Sequence, residues 1–340
     1  MTPSTQGNHS TEHPPGETAQ PFRAASFGGG GGGPFLRSKK GPPNSPWAGP
    51  LRVMGGAVLL SFAPVFVKLA RVGPTTAGVW RNLFGGVMLL GLAWAWGGGL
   101  GLGSRRAWGL AGLGGVLFAL DLTFWHQSVH LVGPGLGTIL LSFQALFMAG
   151  YGVAFLGERP GWRLWLAGPL ALAGLALLAG LGRSGQAWTH WWGLACGLLG
   201  GLAYTGYLLA LRRLQGLSQA PPPAAGLTVI SFVTAGAMAL IALGRGESFA
   251  IPDLATGLWL AAYGLVGQVL GWLLISRGLP QTPAATAGLL LLLQPTLAFL
   301  WDIVLFGRPT SLVEYAGAAL AIAAIYLGLS RGQDTAPAKP

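Results

Sequence analysis

The sequence predicts an all-α integral membrane protein of ten transmembrane helices, built as two inverted five-helix repeats. Three observations point there. Ten apolar runs fill the chain from Leu51 nearly to its end, only 9 % of its 340 residues are charged, and one stretch can be laid on another at a constant shift. About 20 helical residues cross a hydrocarbon core. The runs are apolar on nearly every side rather than at alternate positions. That argues against a transmembrane barrel and for helices that satisfy their backbone groups internally.

In chain order, residues 1–50 come first. They are rich in Pro, Gly, Ser and Thr, contain the tract Gly28–Gly33, and have no long apolar run. Such a segment buries too little surface to fold alone, and it lacks the basic start and apolar core of a signal peptide. A disordered cytoplasmic tail is expected, with a basic patch at Arg37, Lys39 and Lys40. Helices follow at 51–70, 76–97, 107–129, 134–156 and 163–181, a first repeat over 51–181. A second repeat over 191–330 holds helices at 191–211, 223–243, 255–275, 284–306 and 312–330. Residues 331–340 form a second cytoplasmic tail.

Charge orients the bundle. With ten spans both termini share a side, and on that side fall Arg37, Lys39, Lys40, Arg52, Arg105, Arg106, Arg159, Arg163, Arg212, Arg213, Arg277, Arg331 and Lys339. Opposite them are only Arg71, Arg183, Arg245 and Arg308. Thirteen against four, with the remote Arg23 left out, is a strong positive-inside bias. Both termini are therefore expected in the cytoplasm, and the protein in the inner (plasma) membrane. The net charge of +11 is scattered over loops without a basic stripe, so no nucleic-acid partner is expected. The single cysteine, Cys196, excludes an intrachain disulfide and a thiolate metal site, and reads as a buried inert thiol.

The repeat is legible at particular residues. Laying Pro134–Leu178 on Ala284–Gly328 puts Gln144 on Gln294 and Gly157 on Gly307, a shift of 150 in each case. A five-helix unit has an odd number of crossings, so its two copies traverse the membrane in opposite senses, a recurring build of alternating-access carriers.

Two segments resemble a known family. Leu59–Leu90, "LLSFAPVFVKLARVGPTTAGVWRNLFGGVMLL", looks like the first two helices of an EamA-type permease of the drug/metabolite transporter superfamily. A lysine closes the first helix and an arginine sits one turn into the second, matched by Lys68 and Arg81. Val132–Pro160, "VGPGLGTILLSFQALFMAGYGVAFLGERP", resembles the family's fourth helix with its Gly-Glu end at Gly157–Glu158. The resemblance covers about residues 51–330 and implies a ten-helix inner-membrane permease for small metabolites, often an exporter. The second copy departs from the pattern with Gly307–Arg308, which weakens any role for an acid there.

Candidate functional residues are the polar ones inside spans, because a charge at mid-membrane costs about 2.5–3.5 kcal/mol and usually faces protein or water. Asp121 lies about 20 Å along its helix from the inner end, too deep for a short side chain to reach water unaided. It either forms an ion pair or takes up a proton during transport. Lys68 and Arg81 fall near the outer ends of their helices; they either join Asp121 in an outward cavity or snorkel to the interface. Asp302 and Glu314 read as interfacial, paired with Arg308. Gln144, Gln268 and Gln294 sit near mid-span, suited to a polar substrate and equally to interhelical bonds. Pro295 frees a carbonyl one turn before Gln294. Tyr204, and Trp125 on the face of Asp121, could stack on an organic substrate or simply pack. His126 and His130 supply no third metal ligand. Gly193, Gly197, Gly201 and Thr205, with Gly267 and Gly271, read as packing seams.

Taken together, the sequence points to a secondary transporter, not an enzyme. It would move a small polar or amphipathic metabolite, such as an amino acid or related compound, by alternating access, with export as the direction the resemblance implies. No P-loop, cofactor site or metal site is expected. The alternative is an integral-membrane enzyme acting on lipid or a small lipophilic substrate, but no cluster of nucleophiles, metal ligands or paired acids supports it. The expected partners are the small-molecule substrate and membrane lipid, with a homodimer allowed.

Overall fold

The computed structural model describes residues 46–96, 99–132, 134–178 and 188–329. The expectations for the N-terminal tail up to residue 45, for Arg183 and for residues 331–340 fall outside the described residues. Within them the secondary structure is helical, and no strand is present.

The first half runs α1 (Ala48–Leu60), α2 (Ala63–Leu69), α3 (Pro74–Ala95), α4 (Arg105–Val132), α5 (Pro134–Ser142), α6 (Gln144–Leu156) and α7 (Trp162–Leu178). The second half runs α8 (Trp188–Gln215), α9 (Pro223–Gly244), α10 (Leu254–Tyr263), a π-helical segment Gly264–Gly271, α11 (Trp272–Gly278) and a 3-10 turn Leu279–Gln281. It closes with α12 (Ala284–Leu291), α13 (Leu293–Phe306) and α14 (Leu312–Leu329). Among the described residues, eight segments are long and apolar enough to cross a membrane. Pro74–Ala95 is not among them, because Arg81 and Asn82 interrupt its apolar run. Trp162–Leu177 is apolar but shorter.

Four of the expected helices are broken, and chemistry explains most of the breaks. Pro295 has no N–H for the carbonyl of Leu291, and α12 ends at that residue. Pro64, in the first turn of α2, does the same after Leu60, where the Ser61 hydroxyl donates to the Val58 carbonyl at 2.6 Å. Between α5 and α6, Gly201 of α8 comes so close that a Cβ there would sit 2.8 Å from the Leu141 carbonyl. The expected span 255–275 contains a π segment, where Gly264 packs against α3 and a Cβ would meet Gly85 N at 2.9 Å. Wider π turns recur at functional positions in helices, and this one carries Gln268.

The halves interlock. Helix α4 packs along α8, α3 along α9, α1 along α11, α6 along α12 and α7 along α14. The α8 seam is used as expected: Gly193 faces Leu131 and Val132, Gly197 faces Leu140, and Thr205 bonds the Gln144 carbonyl. Cys196 is buried and free.

Candidate functional site

A buried group of polar and aromatic side chains lies where α3 and α4 of the first half meet α8, α10, the π segment and α11 of the second. Arg81 is 5 % exposed and Asp121 is 4 % exposed, so both charges are inside protein rather than at a surface. Arg81 reaches across the halves: its Nη1 donates to the Tyr263 hydroxyl at 3.1 Å. Its guanidinium also lies over the Tyr263 ring at 4.9 Å and the Phe118 ring at 5.5 Å. Asp121 and Arg81 are not within ion-pair distance among the described residues. Tyr204 and Tyr207 of α8 are buried in the same group, Tyr207 against the Phe118 ring that Arg81 also approaches.

Aromatic rings wall this space. Phe118 stacks on Tyr207 at 4.5 Å, and Trp272 meets Tyr207 edge-on at 4.8 Å and Tyr204 at 6.3 Å. Below Arg81 on α3, the Gln268 amide donates to the Ser231 hydroxyl at 2.9 Å. Several buried atoms here have no protein partner: Arg81 Nε, Asp121 Oδ1, Gln268 Oε1, Trp272 Nε1 and the Tyr207 hydroxyl. An unmet buried polar atom costs about 1–3 kcal/mol, so five in one place need a reason beyond packing.

The other candidates lie elsewhere. Gln144 is buried and donates to the Gly288 carbonyl at 3.1 Å, joining α6 to α12, while its Oε1 is unpartnered. Trp125 is half-buried beside His126, with its indole N–H unpartnered. Gln294 is half-buried in the first turn of α13. Lys68 is not with Arg81 and Asp121. It pairs with Asp302 at 3.2 Å, 54 % and 36 % exposed, over the Phe306 ring. Asp302 also faces Arg308, which binds Glu314 at 2.8 Å. Exposed pairs of this kind contribute about 0–1 kcal/mol. Lys68→Ala should therefore leave thermal stability and flux near the parent's, and a loss as deep as that of an Arg81 variant would return Lys68 to the site.

Sequence reasoning missed Phe118, Tyr207, Tyr263 and Trp272. Tyr207 follows Tyr204 by three residues and shares its helix face, a signal that was available. The other three look like any aromatic of a membrane bundle until the helices are packed. A shallow cleft lined by Ala145, Gly168 and Leu289 is apolar and away from these charges, so it offers nothing to orient a polar molecule.

A model of the EamA-like transporter family matches residues 47–180 and again 185–330. The chain belongs to that family. It is accordingly a multi-pass membrane protein, and its family and relative indicate a transporter. It is 27 % identical over 276 residues to the "Uncharacterized transporter YwfM" of Bacillus subtilis (strain 168), covering 78 % of this chain and 88 % of the relative. A solved crystal structure superposes with a TM-score of 0.73 at 19 % identity, covering 84 % of this chain and 99 % of that one. At that identity the likeness concerns the fold alone. In this EamA-family chain, the buried cluster draws on both matched repeats.

Proposed function

We propose that the protein is a ten-span secondary transporter of two inverted repeats. It moves a small polar or amphipathic metabolite outward across the cytoplasmic membrane, with both termini inside. The observation that carries the reading is the Arg81–Asp121 cluster between the halves, with its unpaired buried atoms. The substrate presents an anionic group to Arg81 and a cationic or hydrogen-bonding group to Asp121, and its body lies against the rings of Phe118, Tyr204 and Trp272. Gln144, Gln268, Gln294 and Trp125 line the route or brace it. A homodimer is compatible with the broad apolar exterior.

Ten spans result when Pro74–Ala95 and Trp162–Leu178 are counted with the eight apolar segments. Inversion is supported at the two glycine ends. Gly157 and Gly307 both end a helix in the left-handed conformation, at φ 65° and 62°. Yet Glu158, next to the first, touches Ala284 at the start of the span that ends beside the second. That span has 23 residues, about 34 Å of helix, so the two ends lie on opposite faces. The packing pairs support it too. Exchanging the halves turns the α4–α8 pair into the pair made by α1 with α11, while α3–α9 and α7–α14 map onto themselves. Orientation is supported by the clustering of Arg52, Arg212 and Glu158 contacts at one end and of Lys68, Arg308 and Glu314 at the other.

The test is to overexpress the protein in a bacterial host and compare metabolites in the medium with cells carrying an Arg81→Ala, Asp121→Asn double variant at equal membrane level. A compound enriched outside with the parent alone identifies the substrate class. No difference across amino acids, amines, sugars and nucleotides would sink the exporter reading.

A further inference from the structure

We propose that Glu158 is a latch that holds the bundle closed on the face where it lies, and that the chain carries this latch on that face only. The proposal deepens the transport reading and rests on it for its purpose, although its test needs no substrate.

Glu158 directly follows Gly157, the left-handed residue that ends α6. Its carboxylate accepts from the backbone N–H of Ala284 at 2.7 Å and of Ala285 at 3.2 Å. These are the first donors of α12, left without partners by the helix geometry and favoured by the helix dipole for a negative charge. The same carboxylate lies 3.8 Å from Arg212 at the end of α8. Arg212 in turn donates to the Thr282 carbonyl at 2.8 Å. One side chain of the first half thus ties down two helices of the second. The carboxylate is sheltered, with 14 % of its side chain exposed. Gly152 makes room for it, since a Cβ there would fall 2.4 Å from Glu158 Oε2.

Beneath the latch the two helices are in backbone contact. A Cβ on Gly288 would lie 2.9 Å from Met148 Cβ and 3.0 Å from Ala145 Cα. One layer deeper, Gln144 bonds the Gly288 carbonyl. A solute entering from this face would have to part α6 from α12, and the Glu158 contacts resist that first.

The shift of 150 residues puts Arg308 in the place of Glu158 on the opposite face. Arginine has donors only, so it cannot cap a helix start, and the helix it would cap begins with Pro134, which has no N–H. Arg308 instead turns back on Glu314 of its own half. At that end the halves are joined by the solvated Lys68–Asp302 pair and by bonds from Thr76 to the Ser248 carbonyl and from Trp80 to the Phe249 carbonyl, none of which sets a carboxylate on a helix start. The two faces are therefore unequal in this respect: among the described residues it is the face of Glu158, cytoplasmic in the proposed orientation, that carries a carboxylate holding a helix start of the other half.

The test uses the full chain in membrane vesicles of known sidedness. Cys196→Ala removes the native thiol and Met148→Cys places a reporter under the latch. Into this background go Glu158→Gln, which removes the charge, and separately Ala284→Pro. Proline is tolerated in the first turn of a helix, and Pro283 at φ −51°, ψ 144° already has the backbone a following proline requires. This second variant deletes the 2.7 Å bond and leaves Glu158 in place. Loss of a charge-assisted bond should speed labelling by a membrane-impermeant maleimide from that face by about tenfold in both variants. Labelling at the parent rate in either variant, with the protein folded by thermal unfolding and equal membrane level, would overturn the latch. Because no substrate is involved, faster labelling alongside failed metabolite export would leave the latch standing and remove the proposed cargo.

Discussion

Replacing Arg81 by glutamine is expected to abolish transport of the identified substrate, and replacing Asp121 by asparagine to reduce it at least about tenfold, a loss of about 1.4 kcal/mol. Both side chains are almost wholly buried, and the Arg81 Nε and Asp121 Oδ1 atoms have no partner in the protein. A ligand group meeting either atom gains a charge-assisted hydrogen bond in a low-dielectric site. Stability should separate the two variants from their combination. Arg81→Gln alone leaves the Asp121 charge in the membrane interior without its balancing cation, a situation worth about 2.5–3.5 kcal/mol. The double variant Arg81→Gln, Asp121→Asn removes both charges and should melt higher than Arg81→Gln alone, although it transports no better. Thermal unfolding in detergent and efflux from preloaded vesicles measure the two effects. Full transport by Asp121→Asn would remove any coupling role from that carboxylate while leaving the carrier reading intact.

The second large effect concerns the seam between α7 and α14. Gly174 sits so close to α14 that a Cβ would lie 2.6 Å from Ala321 N and 2.7 Å from the Gly317 carbonyl. Backbone cannot yield as a side-chain tip can, so Gly174→Ile is expected to separate the last helices of the two halves. Overpacking costs about 1–3 kcal/mol where neighbours can shift, and more is expected at a backbone-to-backbone contact. The yield of monodisperse protein should collapse, with Gly174→Ala intermediate. Gly236 supplies the control, because a Cβ there meets nothing within 4 Å. Gly236→Ile should leave yield and melting temperature close to the parent's. Equal losses at both positions would mean that helix propensity, not close packing, governs the effect.

Much of the architecture was legible before any packing was known. Apolar length determined where helices form, and Pro295 announced the break that follows Leu291, because a missing N–H frees a carbonyl wherever the helix runs. The depth of Asp121 and the position of Arg81 singled them out by the cost of charge in lipid. Three things were not legible. The π segment around Gln268 begins where Gly264 approaches Gly85, a residue far off in the chain. The partner of Lys68 turned out to be Asp302, because α13 and not α4 brings a carboxylate to that helix end. Phe118, Tyr263 and Trp272 were indistinguishable from ordinary membrane aromatics.

By itself, then, the sequence determined the solvent of the chain, the length of its helices, their polar interruptions and the repeated unit. Each of these follows from local chemistry: transfer of side chains into lipid, backbone hydrogen bonding within one segment, and the count of crossings per repeat. Only the tertiary structure decided which polar groups meet. It set Arg81 against Tyr263 across the halves and held Asp121 out of ion-pair reach of it. It also laid the Glu158 carboxylate on the start of α12. Those are choices of helix rotation and crossing, fixed by small residues far apart in the chain, and no single segment contains the information that sets them.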